Sequence, residues 1–188
     1  MYDYKPGQII PGPLRFVENG MPIGDLDSDE KGTGARMNEN KPHVELLPVR
    51  HWAHLFWTAQ HNAKDMEPAR TAFCIAVDAL ATFQEGNFSA RALLAPLWPT
   101  WYDEAVDVFV YGTGKYRKWN WLKGQPWSVP LASALRHARA DLIDGELRDK
   151  ESGLSHVGHF TCNVIMLAQF SKSYKAGNDF PATEYFHD

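Results

Sequence analysis

Apolar residues recur at helical spacing along most of the chain after about residue 50. In the segment EPARTAFCIAVDALATFQEG, Phe73, Val77, Leu80 and Phe83 follow one another at intervals of three or four, and a proline and a glycine flank the run. This spacing places the four side chains on one face and predicts a core helix. Similar spacing predicts helices in VRHWAHLFWTAQHN, WYDEAVDVFVYGTGKY, SVPLASALRHARADLI and LSHVGHFTCNVIMLAQF.

No segment alternates apolar and polar residues clearly enough to predict a pair of strands. We therefore predict an all-α fold, a compact helical bundle of four or five helices with an extended, irregular N-terminal arm. The arm covers residues 1–48, where glycine and proline are frequent, and it carries the loop GARMNENKP. The helical domain covers residues 49–172, and a polar C-terminal tail covers residues 173–188.

Length and composition fit one globular domain. The 188 residues are 44% hydrophobic, enough for a sizeable core. The net charge of -4 lacks the basic excess that a DNA or RNA binder needs, so we expect no polynucleotide partner, although a small anionic ligand is compatible. No apolar run could span a membrane and no secretory signal is visible, so we expect a cytoplasmic protein without a membrane partner. Cys74 and Cys162 lie in apolar stretches and are expected to be buried, reduced thiols.

The predicted last helix combines apolar residues on almost all sides with a narrow polar wedge. His156, His159 and Asn163 stand at i, i+3 and i+7, which groups them within about 60° of the helix circumference. Because leaving a buried polar group unpaired costs about 1–3 kcal/mol, something polar must face this wedge. It can be other side chains, such as Asp141 or Glu146, in a structural hydrogen-bond network, or it can be a metal ion or a ligand.

Positive charge and aromatic rings concentrate in the segment GTGKYRKWNWLKGQPW. This combination is the best local sign of a ligand that carries both phosphate and a base. An ordinary loop with packed tryptophans is the competing interpretation. A second loop, around Arg36, Asn38 and Lys41, can offer cations and backbone N–H groups to an anion, although its spacing is not that of a P-loop.

Two further groups of polar residues have simpler interpretations. His51, His54 and His61 lie close to one helix face without a suitably spaced carboxylate, so we interpret them as exposed or packing histidines. Glu104 and Asp107 fall three residues apart, where paired carboxylates can share a divalent cation. A solvated acidic face is the commoner reason for that spacing.

Four ordered blocks of the chain resemble a phage and prophage family. The blocks are GARMNENKPHVELLP, YGTGKYRKWNWLKGQPW, ALRHARADLIDGE and DKESGLSHVGHFTCNVIMLAQF. The family is the dATP/dGTP diphosphohydrolase N-terminal domain, found alone or beside an all-α, MazG-like nucleotide pyrophosphohydrolase module. The resemblance covers residues 34–48 and about 100–172. Residues 49–99 therefore look like an inserted helical segment, which could also supply the interface of a homo-oligomer.

The resemblance implies nucleotide handling and falls largely on the polar positions that spacing and charge indicate. These positions are Gly34, Arg36, Asn38, Lys41, Gly112, Lys115, Tyr116, Asn120, Trp121, Gly124, Arg136, His137, Gly145, Glu146, Asp149, Glu151, Ser152, Gly153, His156, His159 and Asn163. The chain departs from MazG-like enzymes because it lacks the complete ExxE plus ExxD pair, and it has no internal His-Asp doublet. The standard two-metal carboxylate route is therefore not indicated.

Our first hypothesis is a metal-dependent hydrolase of nucleoside triphosphates, above all purine deoxynucleotides, that releases a monophosphate and pyrophosphate. Glu146, His137 and His159 would act in catalysis. Mg2+ or Mn2+ would be held by Glu146, Asp149, His156 and His159. The small nucleotide would be bound by Arg36, Asn38, Lys41, Lys115, Tyr116, Asn120, Trp121, Arg136 and Asn163, with Tyr116 or Trp121 stacking on the base.

The alternative hypothesis is a non-catalytic protein, a sponge, that binds a nucleotide or a nucleotide-derived defence signal. The same cationic and aromatic loop would serve it, with His156, His159 and Asn163 donating hydrogen bonds instead of ligating a metal. In a third hypothesis the wedge is only a buried hydrogen-bond network in a structural protein. That hypothesis predicts no rise in melting temperature with nucleotide.

Overall fold

The computed structural model describes residues 24–37, 41–61 and 67–186. Within these residues the chain forms six α-helices and no β-strand, which confirms the predicted all-α fold. The helices are α1 (Val49–His61), α2 (Pro68–Gln84), α3 (Ala90–Leu94), α4 (Pro99–Gly112), α5 (Ser128–Leu142) and α6 (His156–Ser173). The number exceeds four or five because the connection before α4 contains α3, whose five residues are too few to show a helical repeat.

Helix α6 is buried on most sides because it packs against α5, α4 and α3. Its side chain Phe160 packs edge-on against Phe73 of α2, with ring centroids 4.7 Å apart. Ser155 caps the helix by accepting a hydrogen bond from the Gly158 N–H. Helix α4 approaches so closely that a Cβ atom at Gly158 would lie 2.9 Å from the Glu104 carbonyl oxygen. Glycine at this position therefore allows the two helices to pack.

Helices α1 and α2 pack against each other and share one hydrophobic cluster with α5 and α6. Phe56 and Phe73 are among its fully buried side chains. The predicted core thiols, Cys74 and Cys162, are confirmed as buried and unpaired. Burial raises the pKa of Cys74 to about 11 and that of Cys162 to about 12, so both stay protonated at neutral pH.

Residues 24–37, which we call the strap, cross the loop between α4 and α5. The Gly34 N–H donates to the Gly124 carbonyl oxygen (2.8 Å), and the Ala35 N–H donates to Asn120 Oδ1 (2.7 Å). A side chain at Gly34 would clash, because its Cβ would lie 2.7 Å from that same carbonyl oxygen. The strap is part of the predicted arm. Because Gly34 and Ala35 are bonded to the loop, the position of Arg36, which follows them in the chain, is fixed as well.

The start of the predicted C-terminal tail folds back onto the bundle. Asp179 accepts hydrogen bonds from both the backbone N–H and the hydroxyl of Ser128, at the start of α5. Phe180 packs edge-on against Phe83 and Trp127. No helix in the part of the chain that the structure describes is both long and apolar enough to cross a bilayer.

Candidate functional site

Three histidines, which we call the histidine cluster, meet where α5 lies against α6. The Nδ1 atoms of His137 and His156 are 2.8 Å apart, within hydrogen-bond distance. The His137 ring stacks on the His159 ring, with centroids 4.3 Å apart and planes 13° apart. The polar wedge of α6 therefore faces α5. A polar partner was expected there, and the structure shows that it is another histidine, His137.

A turn after α5 connects a carboxylate to this cluster. Asp149 Oδ1 accepts hydrogen bonds from the backbone N–H and the hydroxyl of Ser152, both at 2.9 Å. Ser152 Oγ also lies 2.8 Å from His159 Nε2. Asp149 Oδ1 itself is 3.9 Å from His159 Nε2. Ser152 thus joins the carboxylate and the imidazole in one hydrogen-bonded chain.

The other side of the cluster has a buried nitrogen without a hydrogen-bond partner, His156 Nε2. Glu146 Oε2 lies 4.0 Å from it, too far for a hydrogen bond. Ligand atoms of His137, Asp149 and His156 all lie within 4.8 Å of one another. Because histidine nitrogen and carboxylate oxygen bind metals at about 2.0–2.2 Å, two ligands of one ion lie within about 4.4 Å of each other, which is close to the spacing of this group. The residues present therefore fit a divalent cation.

Burial keeps His137 and His159 neutral because it lowers the pKa of each. It lowers the pKa of His159 to about 4, against the opposing charge of Asp149. Burial also lowers the pKa of His137 well below its usual value, and the neighbouring His159 and His156 add to this. Burial alone would raise the pKa of Asp149, but hydrogen bonds from Ser152 and the nearby histidines lower it overall. At neutral pH His137 and His159 present neutral imidazoles, which can bind a metal or accept a proton, beside the charged Asp149 carboxylate.

The strap brings a guanidinium to the cluster. Arg36 Nη2 donates to Ser133 Oγ on α5 and to Asn163 Oδ1 on α6, each at 2.8 Å. Asn163 is fully buried and donates in turn to the His159 carbonyl oxygen (2.7 Å). These acceptors are neutral, and among the described residues no carboxylate pairs with Arg36. Its positive charge therefore remains available to an anion.

Further cations lie close to Arg36. Lys115 pairs with Glu151. Burial lowers the pKa of Arg136 to about 10, and the charge of Arg36 contributes. The pKa of Lys41 is lowered by burial and then by Arg136, Arg36 and Lys115, against the opposing charge of Glu151. Burial accounts for the largest part of these shifts, and repulsion between neighbouring cations, which a bound anion would relieve, adds to it.

Most of these groups line a pocket of about 480 Å³, a volume typical of sites for small molecules: Arg36, Lys41, Lys115, His137, Asp149 and His159. The same pocket is also lined by apolar and aromatic side chains: Val106, Phe109, Tyr116, Trp119, Trp121 and Met166. Trp121 packs on Phe109, with ring centroids 5.1 Å apart. The pocket therefore combines cationic groups with aromatic rings, which suit the phosphates and the base of a nucleotide.

A family model described as dATP/dGTP diphosphohydrolase, N-terminal, matches residues 83–179, just over half of the chain. The chain belongs to this family. The family name connects this dATP/dGTP diphosphohydrolase N-terminal domain with nucleotide handling. No curated protein and no solved structure matches the chain.

The match begins at Phe83, so the dATP/dGTP diphosphohydrolase domain includes residues 83–99, which we had placed in an insertion. The packing explains this, because Phe83 contacts Trp127 and Phe180 within the matched region. The match does not reach residues 34–48, which we had included in the resemblance. The histidine cluster and the aromatic loop lie inside it, whereas Arg36 and Lys41 lie outside.

The pocket of this family member gathers most of the residues that we predicted to form a site. Those that line it are Arg36, Lys41, Lys115, Tyr116, Asn120, Trp121, His137, Asp149 and His159. Four others adjoin the lining residues: His156 and Glu146 at the cluster, Asn163 beneath Arg36, and Arg136, which donates to the Pro42 carbonyl oxygen at 3.1 Å. Asn38 lies outside the described residues.

Two of the predicted nucleotide-binding residues hold the strap. Asn120 is buried and its Oδ1 accepts from Ala35, while the Tyr116 hydroxyl accepts a hydrogen bond from the Met37 N–H (2.7 Å). Glu104 and Asp107, the carboxylates on α4 that could have shared a divalent cation, are not among the residues that line the pocket. Glu104 instead accepts a hydrogen bond from Ser155. These side chains shape the dATP/dGTP diphosphohydrolase domain around the pocket.

From the sequence, Ser133 had no assigned function, Ser152 counted only among the positions of the family resemblance, and Trp119 was included only within the aromatic, basic segment, although each contacts or lines the site. Ser152 had an available signal, since an Asp followed three residues later by Ser is typical of local side-chain-to-backbone turns. Ser133 had none, because its partner Arg36 is 97 residues away in the chain.

Proposed function

We propose that this protein hydrolyses purine deoxynucleoside triphosphates in a metal-dependent reaction. Water and the triphosphate would yield a nucleoside monophosphate, pyrophosphate and one proton. The proposal agrees with the family name, which joins dATP and dGTP to diphosphohydrolase activity. The observation that carries it is the composition of one pocket, where an uncompensated guanidinium and a histidine–carboxylate cluster adjoin an aromatic wall.

The cationic side chains in and beside the pocket would bind the phosphates. The hydrogen-bond partners of Arg36 are neutral, so its positive charge would be neutralised by a phosphate oxygen of the ligand. Lys41, Lys115 and Arg136 surround it and would share the remaining negative charge of a triphosphate. Such fixed cations also stabilise the charge that develops on phosphoryl oxygens in the transition state.

The cluster would hold one divalent cation, Mg2+ or Mn2+. His156, with its unpartnered Nε2, and Asp149 are the residues that best fit as ligands, with Glu146 and His137 next to them. When bound, such a cation lowers the pKa of a coordinated water and offsets phosphate charge. Because imidazole nitrogens suit first-row transition metals better than Mg2+, we expect Mn2+ to bind more tightly.

His159 would take a proton at Nδ1, because its Nε2–H donates to Ser152 Oγ, whose own proton is donated to Asp149. Its imidazole is neutral near pH 7 because burial lowers its pKa to about 4. Ser152 connects Nε2 to the Asp149 carboxylate, whose charge would stabilise the protonated imidazole. The stack against His137 holds the ring in one orientation. His159 would therefore serve as a base in the pocket, and not only as a metal ligand.

A panel of ribo- and deoxyribonucleoside triphosphates tests the proposal. The purified chain is incubated with each, with Mg2+ or Mn2+, and the products are separated by ion-exchange chromatography. We expect dATP and dGTP to give their monophosphates and pyrophosphate, with no product in EDTA. Absence of conversion across the panel, with either metal, would contradict hydrolysis.

One observation favours the alternative of a non-catalytic nucleotide-binding protein. Each histidine already has one polar partner within the protein, since His137 and His156 share a hydrogen bond and His159 bonds Ser152. A network of this kind needs no metal to be stable. In that case nucleotides would raise the melting temperature in EDTA as well as in Mn2+, and mass spectrometry would find the ligand intact after denaturation. Recovery of monophosphate instead would exclude this alternative.

A further inference from the structure

Trp119 has a backbone conformation that tryptophan rarely adopts. It is the third residue of a turn closed by a hydrogen bond from the Asn120 N–H to the Arg117 carbonyl oxygen (2.9 Å). Its φ is 68° and its ψ is 7°, and among the described residues no other non-glycine residue has a positive φ. This turn position ordinarily takes glycine. A tryptophan here raises the free energy of the folded chain, and strain of this kind clusters at binding sites.

The side chain is also exposed although it is large and apolar. Trp119 lines the pocket, yet 59% of its surface is accessible to solvent. Lys118 Nζ lies 5.5 Å from its ring centroid, and no aromatic ring in the described part of the chain stacks on it. Neither packing nor backbone preference explains a tryptophan at this position, so a ligand is the remaining source of contact.

The other aromatic residues of the pocket are already engaged. Trp121 packs between Phe109 and Phe170, with centroids 5.1 and 6.5 Å away, and the Tyr116 hydroxyl is bonded to the strap. They form a fixed wall. Trp119 differs because its ring has a free surface at the edge of the same pocket.

We propose that Trp119 stacks on the nucleobase of the bound ligand, resting on the proposed nucleotide function, and favours purines over pyrimidines. A purine offers the larger flat surface to the indole, and Arg36, which would bind the phosphates, lines the same pocket as Trp119. Trp119 is then a specificity-determining residue, in place of the stacking that we had expected from Tyr116 or Trp121. Glycine or phenylalanine at this position separates ring stacking from backbone conformation.

The test compares wild type with Trp119→Gly and Trp119→Phe in the full chain. Calorimetry measures the binding of dATP, dGTP, dCTP and inorganic tripolyphosphate, in EDTA and in Mn2+. We expect Trp119→Gly to lose about tenfold in affinity for dATP and dGTP, because stacking of one base is worth about 1–3 kcal/mol. The loss for dCTP should be smaller, and tripolyphosphate, which has no base, should bind unchanged. Trp119→Phe should retain most of the purine affinity.

Thermal unfolding and fluorescence distinguish stacking from a structural role. Glycine removes the backbone strain, so Trp119→Gly should melt no lower than wild type while it binds purine nucleotides more weakly. Nucleotide should quench tryptophan fluorescence in wild type and in the control Trp98→Phe, whose ring stacks on Trp101 away from the pocket. Quenching should disappear in Trp119→Phe only if the indole itself meets the base.

Three results overturn the inference in distinguishable ways. Unchanged dATP and dGTP affinity in Trp119→Gly excludes stacking but leaves the proposed function in place. An equal loss for tripolyphosphate shows that Trp119 only shapes the loop. Failure of wild type to bind any nucleotide, with or without Mn2+, removes both the proposed function and the base subsite.

Discussion

The two walls of the pocket are built in different ways. The helix wall consists of α5 and α6, which place His137 and His159 in one buried stack. The loop wall consists of the strap and residues 113–124, joined by a few hydrogen bonds such as the one from Ala35 to Asn120. Helical backbones keep their side chains in place through many cooperative contacts. On the proposed function, proton transfer would belong to the helix wall, metal binding to the helix wall and the adjoining turn that carries Asp149, and ligand recognition to the loop wall.

The largest effect on turnover is expected when the general base, His159, is removed from the helix wall. His159→Ala should lower turnover by about 10²- to 10⁴-fold, the usual contribution of a positioned base, while circular dichroism shows unchanged helix content. The exposed His54→Ala variant on α1 is the control and should keep full turnover. Turnover retained in His159→Ala would place the chemistry elsewhere.

The helix wall should also control the pH dependence of stability. Folding lowers the pKa of His159 from 6.5 to about 4 and lowers the pKa of His137 as well. The unfolded chain therefore binds these protons more readily, so stability is fully present above about pH 6.5 and falls as the pH decreases toward 4. His159 alone should account for roughly 3 kcal/mol of this loss.

Urea unfolding at several pH values between about 4.5 and 7.5 measures this slope. His159→Gln removes one titrating group and should flatten it, whereas the exposed His54→Gln should leave it unchanged. An equally steep slope in His159→Gln would mean that other groups determine the acid sensitivity.

Weakening the contact between the strap and the loop should lower both the free energy of unfolding and the affinity for nucleotide. Asn120→Ala removes the acceptor for the Ala35 N–H and should lower the free energy of unfolding by about 1–3 kcal/mol, because a buried donor is left unpaired. Nucleotide affinity should fall as well, since Arg36 is held by the same strap. Asn120→Asp retains an acceptor oxygen and should lose less of both. Equal losses in the two variants would show that the hydrogen bond to the strap is not what matters.

The smallest effect is expected at the outer edge of the loop wall. Lys118→Gln removes the ammonium near the Trp119 ring and should lower the free energy of unfolding by about 0.5–1 kcal/mol, the range for exposed cation–π pairs. Lys118→Arg keeps the cation and is the matched control. Urea unfolding of both variants provides the measurement, and identical losses would contradict a cation–π contact.

Prediction from sequence succeeded best for the helices and for the polar wedge of α6. The spacing of His156, His159 and Asn163 was enough to require a polar partner, because helical geometry alone places them on one face. It was not enough to identify that partner. Candidates of similar chemistry, Asp141 and Glu146, were available nearby, whereas the structure brings His137 to His156 and Arg36 to Asn163.

Sequence reasoning was weaker for the loops. Asn120 and Tyr116 were expected to contact the nucleotide, yet their polar atoms bind the backbone of the strap. A polar residue in a loop has no periodicity, so its partner depends on which distant segment crosses it. For the same reason the role of Trp119 could not be predicted, because nothing in the sequence KWNW indicates that this tryptophan has a positive φ.

The sequence by itself determined the all-α class, the buried thiols and the clustering of polar residues on one helix, because these follow from local spacing and from burial of apolar surface. Only the tertiary structure decided that α5 stacks His137 on His159 and that the strap brings Arg36 between Ser133 and Asn163. Such pairs join residues far apart in the chain, and they form only when packing of the whole core fixes the distance between their backbones.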